Sequence, residues 1–282
     1  MKKILVPTDF SEEAGYALDL AYQIAKKINA EILLLNVIEQ PGGETFSASG
    51  EVVHNDMASN VYVIELMKRV KKDINELAQK PEYDGIDIKT EIQIGNPFNG
   101  ITRVIVNHDV DLVVMGTRGV SGLDELLIGS NTEKVVRLAH CPVITVKHEV
   151  DFDDIKNIVF ASSFEGKLEK VIAKLKDLQS TTGSTLHLVK INTPSNFDAD
   201  RLNKGLINDF AVKYDLKDYT INVYSDITEE DGILNFAEDI GANVIALATH
   251  GRTGFRHLLS GSIAEDIVNH TKRPVWTFTM KS

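Results

Sequence analysis

The sequence predicts an α/β protein of two tandem domains, each a doubly wound parallel sheet of five strands flanked by helices. Three observations lead there. Short apolar runs of strand length alternate with stretches whose apolar residues recur at helical spacing, the pattern of parallel strands joined by right-handed helical crossovers. The whole series starts again after the acidic segment Glu149-Val150-Asp151-Phe152-Asp153-Asp154. A length of 282 residues also suits two domains better than one. The boundaries expected are 1–148 and 155–282.

In the first copy, Ile4-Leu5-Val6-Pro7 reads as a buried strand ending at Thr8-Asp9. Ser11 is placed to cap a helix whose first turn carries Glu12 and Glu13, favourable against the helix dipole. Ala14, Ala17, Leu18, Ala21, Ile24, Ala25 and Ile28 give that helix one apolar stripe. Glu31–Val37 is apolar on both faces, as a central parallel strand is. A polar, glycine-containing stretch follows from Glu39 to about Asn55, and Met57–Lys80 is helical in pattern. Ile86–Ile94 alternates and stops at Gly95-Asn96-Pro97, a half-exposed strand. A short helix over Phe98–His108, a strand over Asp111–Met115, a helix running through to His140 and a last strand, Val143–Val146, complete the copy.

The second copy repeats the series. Ile158–Ala161, Leu186–Ile191, Thr220–Tyr224, Asn243–Ala248 and Val275–Phe278 answer the five strands in order. Gly251–Gly254, Gly261-Ser262 and Arg273-Pro274-Val275 answer Gly119–Gly122, Gly129-Ser130 and Cys141-Pro142-Val143 at a constant offset, 132. The first two strands answer at 154, because the second copy is shorter between its second and third strands. Repetition of this kind is the signature of an internal duplication.

Composition narrows the function. A net charge of -11 argues against a nucleic-acid binder that works through a basic patch. No segment approaches the roughly 18 apolar residues needed to cross a bilayer, so no membrane partner is expected. The N-terminus enters a strand at once and shows no signal-peptide pattern. Cys141 is the only cysteine, so a cytoplasmic, reducing location is the simple expectation.

The richest stretch is Met115–Thr132, MGTRGVSGLDELLIGSNT, between a buried strand and a helix. Glycines at Gly116, Gly119, Gly122 and Gly129 let main-chain N–H groups turn inward without a Cβ in the way. Ser130, Asn131 and Thr132 then open the helix, where free N–H groups and the dipole favour an anion. The spacing is neither a dinucleotide GxGxxG nor a P-loop, since no Gly-Lys-Ser/Thr follows. Gly116, two residues, Gly119, nine residues and Gly129-Ser130 resemble the nucleotide-binding loop of ATP-binding universal stress proteins. With the duplication, the resemblance covers essentially the whole chain, as a tandem member of that family with a Rossmann-like, adenine-nucleotide α-hydrolase-like fold.

The resemblance implies ATP, with or without Mg2+, as the ligand. Asp9, within Pro7-Thr8-Asp9, matches the family's carboxylate on the ribose or adenine side. Main chain at the first strand and at Val37 is implied to bracket the adenine, and Gly116, Arg118, Gly119, Gly129, Ser130 and Asn131 to carry the phosphates, with Met115 and Thr132 also counted in the nucleotide site. The alternative is a structural glycine turn and an Asp9 that only caps the first helix. In the second copy Ser163 replaces Asp9, Ala248 replaces Gly116 and Ala161 replaces Pro7, so the second site is expected to be weak, empty or repurposed.

Other chemistry is less favoured. His187, His250 and His257 show no metal-ligand spacing, and Cys141, before Pro142, reads as a small buried thiol. Arg118 and Arg252 each lie in their copy's loop, though at the offset of 132 Arg118 answers His250 and Arg252 answers Val120. Asp124 and Glu125 offer loop carboxylates, but no base or water-orienting residue for an efficient ATPase stands out. No catalytic residue is assigned. Two function classes remain: a nucleotide-dependent stress or signalling module acting on an unidentified protein partner, and an adenine-nucleotide α-hydrolase-like enzyme or slow ATPase. Such enzymes carry a glycine-rich Ser-Gly-Gly-x-Asp-Ser-like loop after the first strand, whereas this chain has Pro7-Thr8-Asp9-Phe10-Ser11.

Assembly is also expected from the edges. Val143–Val146 and Val275–Phe278 are short, apolar strands with too few charges to protect an open edge. The resemblance, together with the tether between the copies, implies that they pair antiparallel as an intramolecular pseudo-dimer. The sequence leaves open a homodimer of full chains through another surface.

Overall fold

The computed structural model describes residues 1–39, 57–117, 128–250 and 261–280. Arg118, Gly119, Gly122, Asp124, Glu125, Gly251–Gly254, Arg252, His257 and nearly all of the polar stretch after Glu39 lie outside the described residues.

Each half alternates strands and helices. The first contains β1 (Lys3–Pro7), α1 (Glu12–Ile28), β2 (Glu31–Ile38), α2 (Met57–Ala78), β3 (Ile88–Ile94), α3 (Pro97–Asn107), β4 (Leu112–Gly116), α4 (Ser130–Leu138) and β5 (Val143–Val146). The second contains β6 (Asn157–Ala161), α5 (Glu169–Thr182), β7 (Thr185–Asn192), α6 (Asp200–Lys213), β8 (Tyr219–Ser225), α7 (Glu229–Asp239), β9 (Val244–His250), α8 (Gly261–His270) and β10 (Val275–Met280). Local chemistry sets the ends. The Ser11 side chain accepts from the Ala14 N–H at the start of α1, and Asn29 closes it in the left-handed region, as N- and C-caps do. α4 stops at Leu138, two residues short of the expected His140, and Ala139 leaves it in extended conformation ahead of Cys141-Pro142.

The strands form one sheet of ten in the order β3-β2-β1-β4-β5-β10-β9-β6-β7-β8. Within each half every pairing is parallel. The halves meet where β5 and β10 pair antiparallel, with Val275 opposite Thr145, Trp276 opposite Ile144 and Thr277 opposite Val143. The two apolar edges thus cover one another. Trp276 is 1% exposed.

Two apolar layers sandwich this sheet. One joins α1, α2, α5 and α6 to it through residues such as Leu18, Ile74, Ile172 and Phe210. The other joins α3, α4, α7 and α8 through Ile101, Val136, Ile233 and Ile267. Consecutive crossovers therefore change face between β1 and β4, and this is the switch point at which open α/β sheets hold ligands. The acidic connector is docked. Phe152 is buried, its N–H donates to Gln23 Oε1 at 2.8 Å, and Gln23 Nε2 donates to the Val150 carbonyl at 3.1 Å.

Candidate functional site

At the carboxyl ends of β1, β2 and β4 lies a cavity of about 530 Å³, within the range of small-molecule sites. Pro7, Thr8, Asp9, Val37, Met115, Gly116, Gly129, Ser130, Asn131 and Thr132 line it. These are all of the sequence-derived site residues that lie within the described part of the chain. Ala14, Leu35, Glu39, Pro97 and Ile101 complete the lining. Sequence reasoning missed these five. The one available signal was Gly95-Asn96-Pro97, which reads as a strand end but also starts α3 at the cavity wall, with the Asn96 side chain accepting from the Asn99 N–H.

One side of the cavity is shaped by β1 and β2. The Thr8 N–H donates to the Leu35 carbonyl at 2.8 Å, and the chain then leaves the sheet. Hydrogen bonding alternates along a parallel strand. Glu31 bonds toward β1 and Ile32 toward β3, so Val37 directs its N–H and C=O to the β1 side, beyond the last β1–β2 pair, Pro7–Leu35. A peptide donor and acceptor thus face the cavity beside the apolar side chains of Leu35, Pro97 and Ile101. α3 comes this close because of Gly100: a Cβ there would lie 2.9 Å from a Val37 methyl.

Asp9 sits in a tight turn. Its Oδ1 accepts from the Ser11 N–H at 3.0 Å and from the Ser11 hydroxyl, while Thr8 Oγ1 accepts from the Phe10 N–H at 3.1 Å. Phe10 takes a positive φ of 66°. Ser11, not Asp9, caps α1, so Asp9 serves the turn and still borders the cavity.

The opposite side is the start of α4. Gly129 is its N-cap and supplies no side-chain cap. The Gly129 N–H donates to the Thr117 carbonyl at 2.8 Å, and the Thr132 hydroxyl donates to the Gly116 carbonyl at 3.1 Å. These bonds hold the two ends of the glycine stretch together. They leave the first N–H groups of α4, which have no intrahelical partner, at the cavity. The site thus offers an apolar slot, a peptide edge, a carboxylate and an anion-holding helix start.

The second half keeps the turn but changes the chemistry. Ser162 Oγ accepts from Phe164 N–H and Ser163 Oγ from Glu165 N–H, with Phe164 again at positive φ. Ser163 contributes no carboxylate. Glu229 stands where Pro97 stands in the first copy. It accepts from Asn196 Nδ2 at 2.8 Å, and burial pushes its carboxyl above the ordinary range against the pull of that bond.

Other candidates have structural partners. His187 bonds Thr220 Oγ1 and Asn157 Oδ1 through its two ring nitrogens, and burial lowers its pKa. Burial pushes the Cys141 thiol up to about 12, far from a reactive thiolate. No helix among the described residues is long and apolar enough to cross a membrane.

Comparison with known proteins agrees with this architecture. Residues 1–147 and 154–278 each match the Universal stress protein family. A universal stress protein of Methanocaldococcus jannaschii is 36% identical over 147 residues, covering 52% of this chain and 82% of that protein. Universal stress protein YxiE of Bacillus subtilis is 32% identical over 149 residues, covering 51% and 98%. Among solved structures, a universal stress protein from Archaeoglobus fulgidus DSM 4304 superposes with a TM-score of 0.75 at 23% identity over 98% of both chains. At that identity the likeness speaks for the fold. The chain therefore belongs to the universal stress protein family, with one copy of the family's domain in each half.

Proposed function

We propose that this chain is a nucleotide-dependent stress-response module that holds one ATP in its first half, and that the second half does not bind nucleotide comparably. The observation carrying this reading is the cavity itself, where separate parts of the chain bring complementary groups to one place. The Leu35–Pro97–Ile101 wall suits a planar base, and the Val37 main chain suits its hydrogen-bonding edge. The Asp9 carboxylate suits a ribose hydroxyl. The N–H groups at Gly129–Thr132, with the Ser130 hydroxyl, suit the phosphates. A Mg2+ would come held by the phosphates themselves, the described residues offering no group of three or more metal-ligating side chains. In the second half Ser163, Ala248 and Glu229 remove a carboxylate, a glycine and an apolar contact at the matching places.

The molecules released from purified, denatured protein test the reading. Adenine nucleotide near one equivalent per chain supports it, and protein that neither carries nor takes up adenine nucleotide refutes it. The alternative, an adenine-nucleotide α-hydrolase-like enzyme, predicts AMP and pyrophosphate from ATP. The lack of glycines in Thr8–Ser11 disfavours it, as does the use of the Asp9 carboxylate in its own turn.

A further inference from the structure

The end of the nucleotide loop is held from the other half of the molecule. The N–H of Ile128, the residue before the α4 N-cap, donates to Asn269 Oδ1 on α8 at 2.8 Å, across 141 residues of sequence. The next N–H, of Gly129, donates to Thr117 within the first half. Those that follow, at Ser130, Asn131 and Thr132, open α4 and border the cavity. Two successive peptides are therefore fixed just before the anion-holding ones, the first of them by the second half.

Asn269 is itself held. Lys147, just after β5, donates its ammonium to the Asn269 carbonyl, which anchors the end of α8 to the first half. The position equivalent to Asn269 in the first copy is Arg137, which pairs with Glu265 at 2.9 Å and Glu133 at 3.4 Å.

We infer that Asn269 is a positioning residue for the phosphate-holding loop of the first half, so the second half acts as a brace for its neighbour's ligand site. This inference rests on the nucleotide reading above. A free Ile128 peptide turns more easily, and the N–H groups after it lose alignment with the phosphates. The base and ribose contacts, on β1, β2 and α3, are untouched. Loss of Asn269 is therefore felt by ATP and not by adenosine.

Calorimetric titration of the full chain with ATP and with adenosine separates these effects. Asn269→Leu should weaken ATP roughly threefold to tenfold, the range for one neutral hydrogen bond, with adenosine unchanged. Thr279→Val removes a different bond between the halves, from the Thr279 hydroxyl to the Val136 carbonyl at 3.0 Å; it should leave the ratio of the two affinities as in the wild type. Equal ATP affinity in wild type and Asn269→Leu overturns the inference, as does an equal loss for ATP and adenosine. Wild-type protein that takes up no nucleotide overturns the nucleotide reading and this inference together. Amide exchange at Ile128 tests the bond without ligand: it should be slower in the wild type than in Asn269→Leu, and equal rates contradict the brace.

Discussion

A Cβ built on Gly116 would lie 2.8 Å from the main-chain carbon of Glu13 and 2.9 Å from its carbonyl oxygen. The end of β4 and the first turn of α1 are thus packed backbone to backbone beside the cavity. The second copy carries Ala248 at this place, and α5 starts only at Glu169, after the αL glycine Gly166 and an N-cap, Leu168, with no side-chain bond. By the 154 offset, a helix start matching α1 would have fallen at Gly166. The loss of the glycine and the retreat of the helix occupy the same contact.

Gly116→Ala should therefore cost stability, since the opposing atoms are the main chain and Cβ of Glu13, which no side-chain rotation moves away. Overpacking of this kind costs about 1–3 kcal/mol, measurable by urea denaturation. Nucleotide affinity should fall as well. The reverse change, Ala248→Gly, should leave nucleotide binding as it is, because Ser163 still lacks the carboxylate.

Asp9 serves its own turn and, under the nucleotide reading proposed above, also the ligand; substitution separates the two. Asp9→Ala removes the charge and the acceptor of the Ser11 N–H, and should weaken ATP roughly ten- to hundredfold, the scale of one charge-assisted hydrogen bond. Asp9→Asn keeps the turn acceptor and should lose less. Ser163→Ala should leave binding unchanged. Direct binding measurements on the three variants decide the order.

The cross-half strand pair gives a third prediction. Just before β5 and at its end, the Pro142 and Val146 carbonyls accept from Val113 and Thr117 of the first half, so by alternation Val143 and Thr145 turn their N–H groups to β10. Thr145→Pro removes one such donor and leaves a buried Val275 acceptor short, a cost of about 1–3 kcal/mol. Trp276, the only tryptophan, lies in this seam, so its emission should shift to the red. Unchanged emission and an unchanged scattering profile would contradict the seam.

Acid sensitivity should follow Asp111. Burial raises its pKa, but the N–H groups of Lys2 and Lys3 and the Lys174 ammonium of the second half outweigh burial, and the net shift is downward. Its Oδ2 accepts from Lys2 N–H at 2.7 Å, and Lys174 lies 3.6 Å from Oδ1. A carboxylate with a lowered folded-state pKa stabilises above its unfolded value and loses that stabilisation as pH falls through the folded value. Asp111→Asn should be less stable than the wild type at neutral pH, with the gap closing below about pH 4. Melting curves across pH read this directly.

Much of this was legible in the sequence, for physical reasons. Strands such as Glu31–Ile38 are apolar on both faces because both faces are covered, and the offsets between the copies fixed which strands correspond. The lack of charge on the edge strands marked them as edges in need of cover, while their antiparallel pairing was what the family resemblance and the tether implied. The cavity's far wall was not legible, since Pro97 and Ile101 reach Val37 only through tertiary packing at Gly100. Nor was the Asn269–Ile128 bond: a contact between residues so distant in sequence leaves no periodicity to read. The late start of α5 was hidden too, because Ala248 looks harmless until Glu13 is seen opposite its counterpart.

The most direct test of the account is calorimetric stoichiometry of ATP on nucleotide-free full chain, wild type beside Asp9→Ala and Ser163→Ala. One site per chain, weakened by Asp9→Ala and indifferent to Ser163→Ala, is the predicted result. Two equal sites, or a single site that ignores Asp9 and responds to Ser163, would contradict it.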